Sequence, residues 1–245
     1  MNLHLMRLQP DPTALAAWAA RHGLLSPDGD YGYAFHALLR AAFGDLAPKP
    51  FRYLDGKQGF LAYVSAPVET LRLNASLAAP DVARALGLDA LDARPFPTIW
   101  QSGQHLGFEV RVRPVVRTNG GRERDAFLHS FGNGSVSGTP TDEGSIARRS
   151  AIYADWLSSH LAAEDAAKII EAHLDAFRLT RVLRKAAASG GMRREVLPVT
   201  GPDVVYKGVI QVGSGEAFAR LLARGVGRHR AFGFGMLLLR PATTC

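Results

Sequence analysis

The chain has 245 residues, of which 47% are apolar and 21% are charged. This composition is typical of globular domains and excludes a disordered, collagen-like or coiled-coil protein. No apolar stretch approaches the roughly 20 residues that a membrane helix needs, and the first residues lack the apolar core of a secretory signal. The one cysteine, Cys245, cannot form an intrachain disulfide, so we expect a reducing, cytoplasmic location.

Positive charge is concentrated in the second part of the chain. The net charge is +7, from 29 Lys and Arg residues against 22 Asp and Glu residues. Residues 1–104 contain nine of each sign, so the whole excess lies in residues 105–245. Only five of the basic residues are lysines, and the others are arginines. This excess of arginine over lysine suits bidentate phosphate contacts, but a GC-rich genome explains it equally well. The asymmetry is not explained by codon bias, and it indicates a polyanionic partner.

Apolar periodicity and turn residues divide the first part of the chain into strands and helices. The pattern predicts a strand, two helices, two strands and a short helix, at 2–9, 13–22, 31–43, 50–54, 59–65 and 80–87. Asp30 is expected to cap the second helix, and Asp55-Gly56 is expected to form the turn between the two strands. The proline-rich segment 94–97 is the predicted domain boundary.

The second part of the chain predicts a similar alternation of elements. Strands are predicted at 106–117, 176–184, 204–212 and 231–240, and helices at 145–162, shortly before 176 and at 214–224. Residues 132–144 and 185–194 have the composition of loops. Each part approximates β-α-β-β-α-β, so the predicted fold is α+β, with two tandem ferredoxin-like (RRM-like) domains at 1–97 and 98–245.

One predicted helix carries the side chains best suited to chemistry. In helix 31–43, Tyr33, His36 and Arg40 fall on one strip beside the apolar face, because they are spaced i, i+3 and i+7. An imidazole can transfer a proton near neutral pH, a phenol can donate a hydrogen bond, and a guanidinium can balance the charge of a phosphorane. An RNA substrate supplies its own 2′-hydroxyl nucleophile, so we expect no metal ion and no cofactor. An amphipathic helix with ordinary boundary residues is the alternative.

A glycine-rich segment, GVGRHRAFGFG at 225–235, lies between the last predicted helix and strand. Glycines let backbone amides approach a ligand closely, and arginines add positive charge. The segment is not a dinucleotide fingerprint, because an arginine occupies the third glycine position. We interpret it as an RNA-backbone or domain-packing loop, with a plain helix-to-strand connection as the alternative. Its candidate RNA-binding residues are Gly225, Gly227, Arg228, His229 and Arg230.

Further arginines form clusters throughout the second part. Strand alternation places Arg111 and Arg113 on one face, and it separates Arg181 from Arg178 and Arg184. A single cluster is typical of a solvated surface, whereas several clusters in one basic region favour nucleic-acid binding. The candidate RNA-binding arginines are Arg111, Arg113, Arg117, Arg122, Arg124, Arg178, Arg181, Arg184, Arg193 and Arg194.

Five motifs follow one another along nearly the full chain. They are LHLMRL at 3–8, YAFHALLRAAFG at 33–44, FEVRVRPVVR at 108–117 followed by RERDAF at 122–127, YADWL at 153–157, and ARGVGRHRAFGFGMLLL at 223–239. The Tyr-x-x-His pair and the glycine-rich segment are the most specific. Together the motifs resemble the CasE (Cse) repeat-RNA endoribonucleases of type I-E CRISPR systems.

The resemblance implies a metal-independent endoribonuclease that cleaves precursor CRISPR RNA within the repeat, 3′ of the repeat hairpin. The 2′-hydroxyl would attack, and the product would carry a 2′,3′-cyclic phosphate. His36 would be the catalytic histidine and Tyr33 the assisting tyrosine, whereas the assignment of Arg40 rests mostly on the helix geometry. The glycine-rich loop would pack against the opening strand and line the RNA groove.

The implied partners are the repeat hairpin RNA, as precursor and as mature crRNA, and the other subunits of the Cascade complex. No membrane partner is implied. A non-catalytic subunit that binds the CRISPR RNA hairpin is the first alternative, since it would keep the arginines without needing His36. An enzyme that binds a nucleotide or phosphometabolite through residues 225–235 is the second alternative.

Overall fold

Two four-stranded antiparallel sheets organise the protein. The computed structural model describes residues 2–119, 121–131, 143–185 and 196–242. In chain order the elements are β1 His4–Leu8, α1 Pro12–Arg21, α2 Gly32–Phe43, β2 Phe51–Asp55, β3 Gly59–Val64, α3 Val68–Ser76, α4 Pro80–Leu86, β4 Asp92–Pro95, β5 His105–Val112, β6 Val115–Arg117, β7 Glu123–Asp125, α5 Ala126–Ser130, α6 Glu143–Leu161, β8 Ala167–Lys185, β9 Val196–Val212, α7 Gly215–Arg224 and β10 Leu237–Pro241.

The first sheet has the strand order β2-β3-β1-β4, and every neighbouring pair is antiparallel. Alternate residues of β1, Met6 and Leu8, are fully buried in a core shared with α2. The apolar stripe of α2 supplies Phe35 and Leu38 to that core. Buried residues recur with a period of 2 in the strand and 3.6 in the helix, so α2 packs on one face of the sheet.

The second sheet has the order β10-β5-β9-β8, which repeats the order of the first sheet when it is read from the opposite edge. The helices α6 and α7 belong to this second part. The tandem ferredoxin-like prediction is confirmed. Strands β8 and β9 contain 19 and 17 residues and pair from Ala167↔Val212 to Lys185↔Val196. They are far longer than the 8-residue β5, so they continue past the sheet as a two-stranded ribbon.

The two sheets share parts of their cores. Leu3 and Tyr63, from the first sheet region, pack into the core of the second, where the Tyr63 hydroxyl donates to the carbonyl oxygen of Leu237 over 2.9 Å. Leu183 of β8 packs in the opposite sense, into the core around α2. The strands of the two sheets lie within 4–95 and 105–241, while the domain division at 97 and 98 stays a prediction.

Three sequence predictions of local structure are wrong. The strand predicted at 106–117 is interrupted after Val112, since Pro114 cannot donate to a ladder, and β6 joins a separate hairpin with β7. The short helix predicted before 176 is a single 3-10 turn at 163–165, after which β8 begins. The closing strand begins at Leu237 rather than 231. The proline-rich segment 94–97 contains the end of β4, and its assignment as the domain boundary stays a prediction.

The start of α2 also differs in detail from the prediction. The helix begins at Gly32, and Tyr31 rather than Asp30 is its N-cap, with no side-chain cap. The Asp30 carboxylate nevertheless accepts the Gly32 N–H over 2.9 Å. Of the two predicted loops, positions 143–144 begin α6 and Lys185 ends β8, and the remaining positions lie outside the described residues.

Candidate active site

Three aromatic rings meet where α2 faces the glycine-rich segment. The Tyr33 ring stacks on Phe232, with ring centroids 5.6 Å apart and planes 8° apart. The His36 ring lies edge-on to both, 6.1 Å from Tyr33 and 5.2 Å from Phe232. Burial raises the pKa of Tyr33, so its phenol stays protonated near neutral pH and can donate a hydrogen bond. The structure therefore brings the two predicted residues together and adds Phe232, which sequence reasoning missed.

Gly32 is the reason that α2 can approach the segment so closely. A Cβ at this position would lie 2.3 Å from the carbonyl oxygen of Phe232, closer than any real contact. The segment turns back on itself here, because the Phe232 N–H bonds to the carbonyl of His229 over 2.8 Å and His229 adopts a left-handed conformation. The helix and the loop thus fit together through backbone, and this fixes the Tyr33–Phe232 stack.

Arg40 is not part of the ring cluster. Its Nη1 lies 2.7 Å from the Asp45 carboxylate, and its side chain is about half exposed. An exposed pair of this kind contributes at most about 1 kcal/mol to stability. The helical spacing predicts one shared face for Tyr33, His36 and Arg40, and the contact described for Arg40 is the one with Asp45.

A carboxylate of the β6–β7 hairpin holds the glycine-rich segment from another direction. Glu123 binds Arg228 Nε through Oε1 and His229 Nε2 through Oε2, each over 2.8 Å. Because an ionised carboxylate only accepts, His229 donates from Nε2. The His229 side chain is 4% exposed, so its described role is to anchor the loop. Glu123 lies inside a motif noted in the sequence, but nothing local signals its long-range contact.

A shallow depression of about 370 Å³ borders the ring cluster. Phe232 forms part of its wall, Lys49, Arg228 and Arg230 bring positive charges to it, and Glu123, which is paired with Arg228, brings one negative charge. Arg230 donates to the carbonyl of Arg224 over 2.7 Å, which aims its chain along the loop. Burial, followed by the charges of its arginine neighbours, lowers the pKa of Arg230. Lys49 was not a candidate in the sequence, since it stands alone between two prolines.

A buried ion network joins the start of α2 to the second sheet. Arg111 Nη2 lies 2.7 Å from an oxygen of Asp30 and 2.7 Å from an oxygen of Asp203, and its Nε donates to Asp203 over 2.7 Å. The carbonyl of Arg111 accepts the N–H of Gly235 over 2.7 Å. One residue therefore connects α2, β9 and the glycine-rich segment.

Asp203 and Arg111 are both charged at neutral pH. Burial alone would raise the pKa of Asp203, but hydrogen bonds and charge from Arg111, and then from Arg178, lower it to about 2. Burial likewise disfavours the charge of Arg111, yet the contacts with Asp203 and Asp30 outweigh it and raise the pKa of Arg111. Breaking such a pair leaves a buried charge without its partner, which is strongly destabilising.

The prediction that Arg111 and Arg113 contact RNA is corrected by their burial. Arg113 is 2% exposed and donates to the carbonyl oxygens of Thr180 and Val199. The Arg111 guanidinium lies 4.3 Å from the ring centroid of Phe234, below the surface. Both arginines do share a strand face, as alternation predicts, but that face points into the protein because it packs on Phe234.

Two arginines of β8 face the first half of the chain. Arg181 binds both oxygens of Asp28 and, through hydrogen bonds first, lowers the pKa of Asp28 to about 2. Arg178 Nε donates to Asp203 over 2.8 Å, and 63% of its side chain stays exposed. Both are therefore partly occupied by carboxylates.

The remaining candidate arginines differ in exposure. Arg117 and Arg122 are exposed on the β6–β7 hairpin, and Arg124 is half-buried there. Arg184 ends near the tip of the ribbon, but its side chain lies outside the description, as do Arg193 and Arg194. Gly225 and Gly227 have positive φ and pack closely on Pro50 and Trp156.

Neither a metal cluster nor a membrane helix is found in the described parts of the chain. Across residues 2–119, 121–131, 143–185 and 196–242, no group of three or more His, Cys, Asp or Glu side chains could hold a metal ion. None of the helices in those ranges is long and apolar enough to cross a bilayer.

The same fold occurs in solved structures of RNA-associated CRISPR proteins. Thermus thermophilus Cse3, bound to an RNA representing a pre-cleavage complex, matches with 19% identity and a TM-score of 0.62, over 98% of this chain and 100% of that chain. A CRISPR endoribonuclease Cse3 bound to 19 nt RNA matches with 19% identity and a TM-score of 0.63, over 98% of both chains. Cas6e from Escherichia coli str. K-12 matches with 18% identity and a TM-score of 0.53, over 98% of this chain and 100% of that chain.

Sequence comparison supplies the family. The model of the family described as "CRISPR associated protein" matches residues 3–241, and the chain therefore belongs to this family. Membership, together with the shared fold, confirms the resemblance drawn from the five motifs. A comparison with curated proteins gives no match.

Proposed function

We propose that the protein is a metal-independent endoribonuclease that cleaves precursor CRISPR RNA within the repeat, 3′ of the hairpin. The observation that carries the proposal is the Tyr33–His36 pair, held against Phe232 of the glycine-rich segment. A phenol and an imidazole beside a cationic depression suit transesterification of a phosphodiester. Solved proteins of this fold are described as a CRISPR endoribonuclease bound to RNA.

In the proposed reaction the 2′-hydroxyl oxygen attacks the adjacent phosphorus and the bond to the 5′-oxygen breaks. The products are a 2′,3′-cyclic phosphate and a 5′-hydroxyl. His36 exchanges a proton with the attacking or the leaving oxygen, and the protonated phenol of Tyr33 donates a hydrogen bond to the reacting phosphate. Lys49 and Arg230 stabilise the phosphorane charge from the bordering depression, where Arg228 is paired with Glu123.

Arg40 has a weaker place in this proposal. Its exposed pair with Asp45 is weak enough for an RNA phosphate to replace the carboxylate.

After cleavage the enzyme stays bound to the mature crRNA as a subunit of Cascade, held by exposed arginines such as Arg117 and Arg122. We expect this work to take place in the cytoplasm.

The first test is cleavage of a labelled repeat RNA from the same genome, in EDTA. We expect wild type to cut the all-ribose RNA and to leave a substrate with a 2′-deoxy nucleotide at the scissile position intact. His36→Ala should lose about 10²–10⁴-fold in rate, the usual contribution of a general acid or base, while its affinity for RNA is unchanged. His105→Ala, which removes an exposed histidine of β5, is the control and should cut normally.

Other outcomes identify the alternatives. RNA that wild type binds tightly and never cuts would make the protein a non-catalytic hairpin-binding subunit. Thermal stabilisation by ATP or NAD, together with indifference to hairpin RNA, would instead identify a nucleotide-binding enzyme. Cleavage by His36→Ala at the wild-type rate would remove the histidine from the mechanism.

A further inference from the structure

A second cleft borders the ring cluster and has no part in the proposed reaction. It has a volume of about 360 Å³ and lies between the start of α2 and strand β2. Phe232 and Gly32 form the side next to the Tyr33–His36 pair. The other walls include Tyr31, Tyr53, Phe35 and Arg178, and the charged side chains of Asp30, Asp55 and Arg111 also line the cleft.

The walls of this cleft combine aromatic rings with the exposed cation of Arg178 and the exposed carboxylate of Asp55, while Arg111 and Asp30 are paired with each other. Tyr31 and Tyr53 are both half-buried, and the Tyr53 ring packs on Phe35 with centroids 4.8 Å apart. Burial raises the pKa of Tyr53, and the nearby Tyr31 hydroxyl raises it further, so the Tyr53 phenol is neutral and the two tyrosines lie close together. Arg178 is fixed by Asp203 through Nε, yet 63% of its side chain remains exposed.

We propose that this cleft binds one unpaired nucleotide of the RNA beside the cleavage point. The base would stack on the tyrosine rings, and its phosphate would lie near Arg178. This inference rests on the proposed function and specifies where the single-stranded part of that substrate lies.

Size and position favour a single nucleotide. The cleft is at the small end of the roughly 300–1,000 Å³ range of small-ligand sites, which excludes a duplex. Aromatic faces next to a cation are the usual platform for an unpaired base and its phosphate. Because Phe232 forms a wall of the cleft and also stacks on Tyr33, a nucleotide held here is the immediate neighbour of the reacting phosphate.

The experiment measures binding, so it does not depend on catalysis. Repeat RNAs carrying 2-aminopurine at one unpaired position each, on either side of the scissile bond, are bound to the His36→Ala protein. We expect the fluorescence of one position to be quenched on binding, and Tyr53→Leu to relieve the quenching. Affinities are then measured for that RNA and for one with an abasic site at the same position.

On intact RNA, Tyr53→Leu should weaken binding about tenfold, the order of one lost stacking contact. On the abasic RNA it should have no effect, because there is no base to stack. Tyr53→Phe keeps the ring and should bind as wild type. Tyr31→Leu is the second variant, and it gives the answer if thermal unfolding shows that Tyr53→Leu is not folded.

The outcomes separate this proposal from the function. Tight RNA binding with no responsive position, or an equal loss on intact and abasic RNA, would overturn the cleft assignment and leave the cleavage proposal standing. A responsive position in an RNA that wild type never cuts would support the cleft and refute the catalysis. Absence of binding to hairpin RNA would overturn both.

Discussion

Burial reinforces the neutral state that the Tyr33 phenol already has near neutral pH, because its pKa is raised from an ordinary value near 10. The ring is stacked on Phe232, and the hydroxyl is a donor at the pH of the cell. A neutral donor can stabilise charge that develops on a phosphate oxygen, whereas a phenolate would repel it. The position of the ring and the state of the hydroxyl are therefore separate contributions, and a single substitution distinguishes them.

Tyr33→Phe keeps the stack on Phe232 and removes only the hydroxyl. We expect the rate of RNA cleavage under single turnover to fall about 10²-fold, the effect of losing one preorganised donor, with the RNA dissociation constant unchanged. His105→Ala, at an exposed residue of β5, is the control, and its rate should equal that of wild type. An unchanged rate in Tyr33→Phe would show that the ring alone is needed.

At the residue scale, the sequence predicts which side chains lie together on one helix, and it misses contacts between residues that are far apart in the chain. The spacing of Tyr33 and His36 is local, so helical periodicity finds the pair. Phe232, Glu123 and Asp203 reach their partners only through the fold, and single-sequence patterns contain no signal for such contacts. The same limit explains why buried Arg113 was assigned to RNA, because an arginine on a strand gives no sign of carbonyl partners.

At the element scale, α2 depends on the absence of a side chain at its first residue. Gly32→Ala would place a Cβ against the Phe232 carbonyl, so the helix and the segment 230–232 must move apart. We expect a loss of about 1–3 kcal/mol in the free energy of unfolding, as for other overpacked contacts. Cleavage should fall by more than tenfold, because the Tyr33–Phe232 stack is displaced.

The measurement is chemical unfolding followed by RNA cleavage on the same preparation. Ala41→Ser is the control, since it adds one atom to the exposed face of the same helix and should change neither quantity appreciably. Wild-type stability and rate in Gly32→Ala would contradict the close fit between α2 and the glycine-rich segment.

Elements with strong periodicity are predicted well, and those defined by pairing are not. The long helices and the strands β1, β2 and β3 match the sequence pattern closely. Strand β4 was missed because two prolines signal a loop, although its edge position tolerates Pro95. The length of β8 and β9 was underestimated, since their extension is stabilised by each other and polar residues interrupt the alternation.

At the scale of the whole molecule, the ion network makes stability depend on pH. Because the pKa of Asp203 is lowered to about 2, its contribution to stability is complete above its ordinary pKa near 4 and is lost as the pH falls towards 2. Asp203→Asn should cost about 3 kcal/mol in the free energy of unfolding at neutral pH, since Arg111 loses a buried partner.

The gap between wild type and Asp203→Asn should narrow by about 1 kcal/mol between pH 6 and pH 3, because over this range the unfolded wild-type chain binds a proton at Asp203 that the folded protein mostly does not bind. Urea unfolding at the two pH values measures the gap. Asp45→Asn, at an exposed carboxylate, is the control and should follow wild type at both. A gap that does not change with pH would mean that Asp203 is not the acid-sensitive carboxylate.

Net charge is a property of the whole molecule, but only part of it is available for RNA. Several predicted RNA-binding arginines are engaged by carboxylates or carbonyls, whereas Arg117 and Arg122 are exposed on their hairpin. We expect RNA affinity to fall steeply with salt, and the double variant Arg117→Ala, Arg122→Ala to lower the slope of log K against log salt by about 2. Arg72→Ala, on the other half of the molecule, should leave the slope unchanged.

The contacts that position α2 have a consequence for the time at which activity arises during synthesis. Ser26 and Arg181 are 155 residues apart, and Asp30 and Arg111 are 81 residues apart. Phe232, the partner of the Tyr33 ring, is translated near the end of the described chain. A nascent chain therefore carries both candidate catalytic side chains long before their supports exist. The Tyr33 ring has no stacking partner until Phe232 has been synthesised, so the ring cluster assembles only after both parts of the chain have left the ribosome.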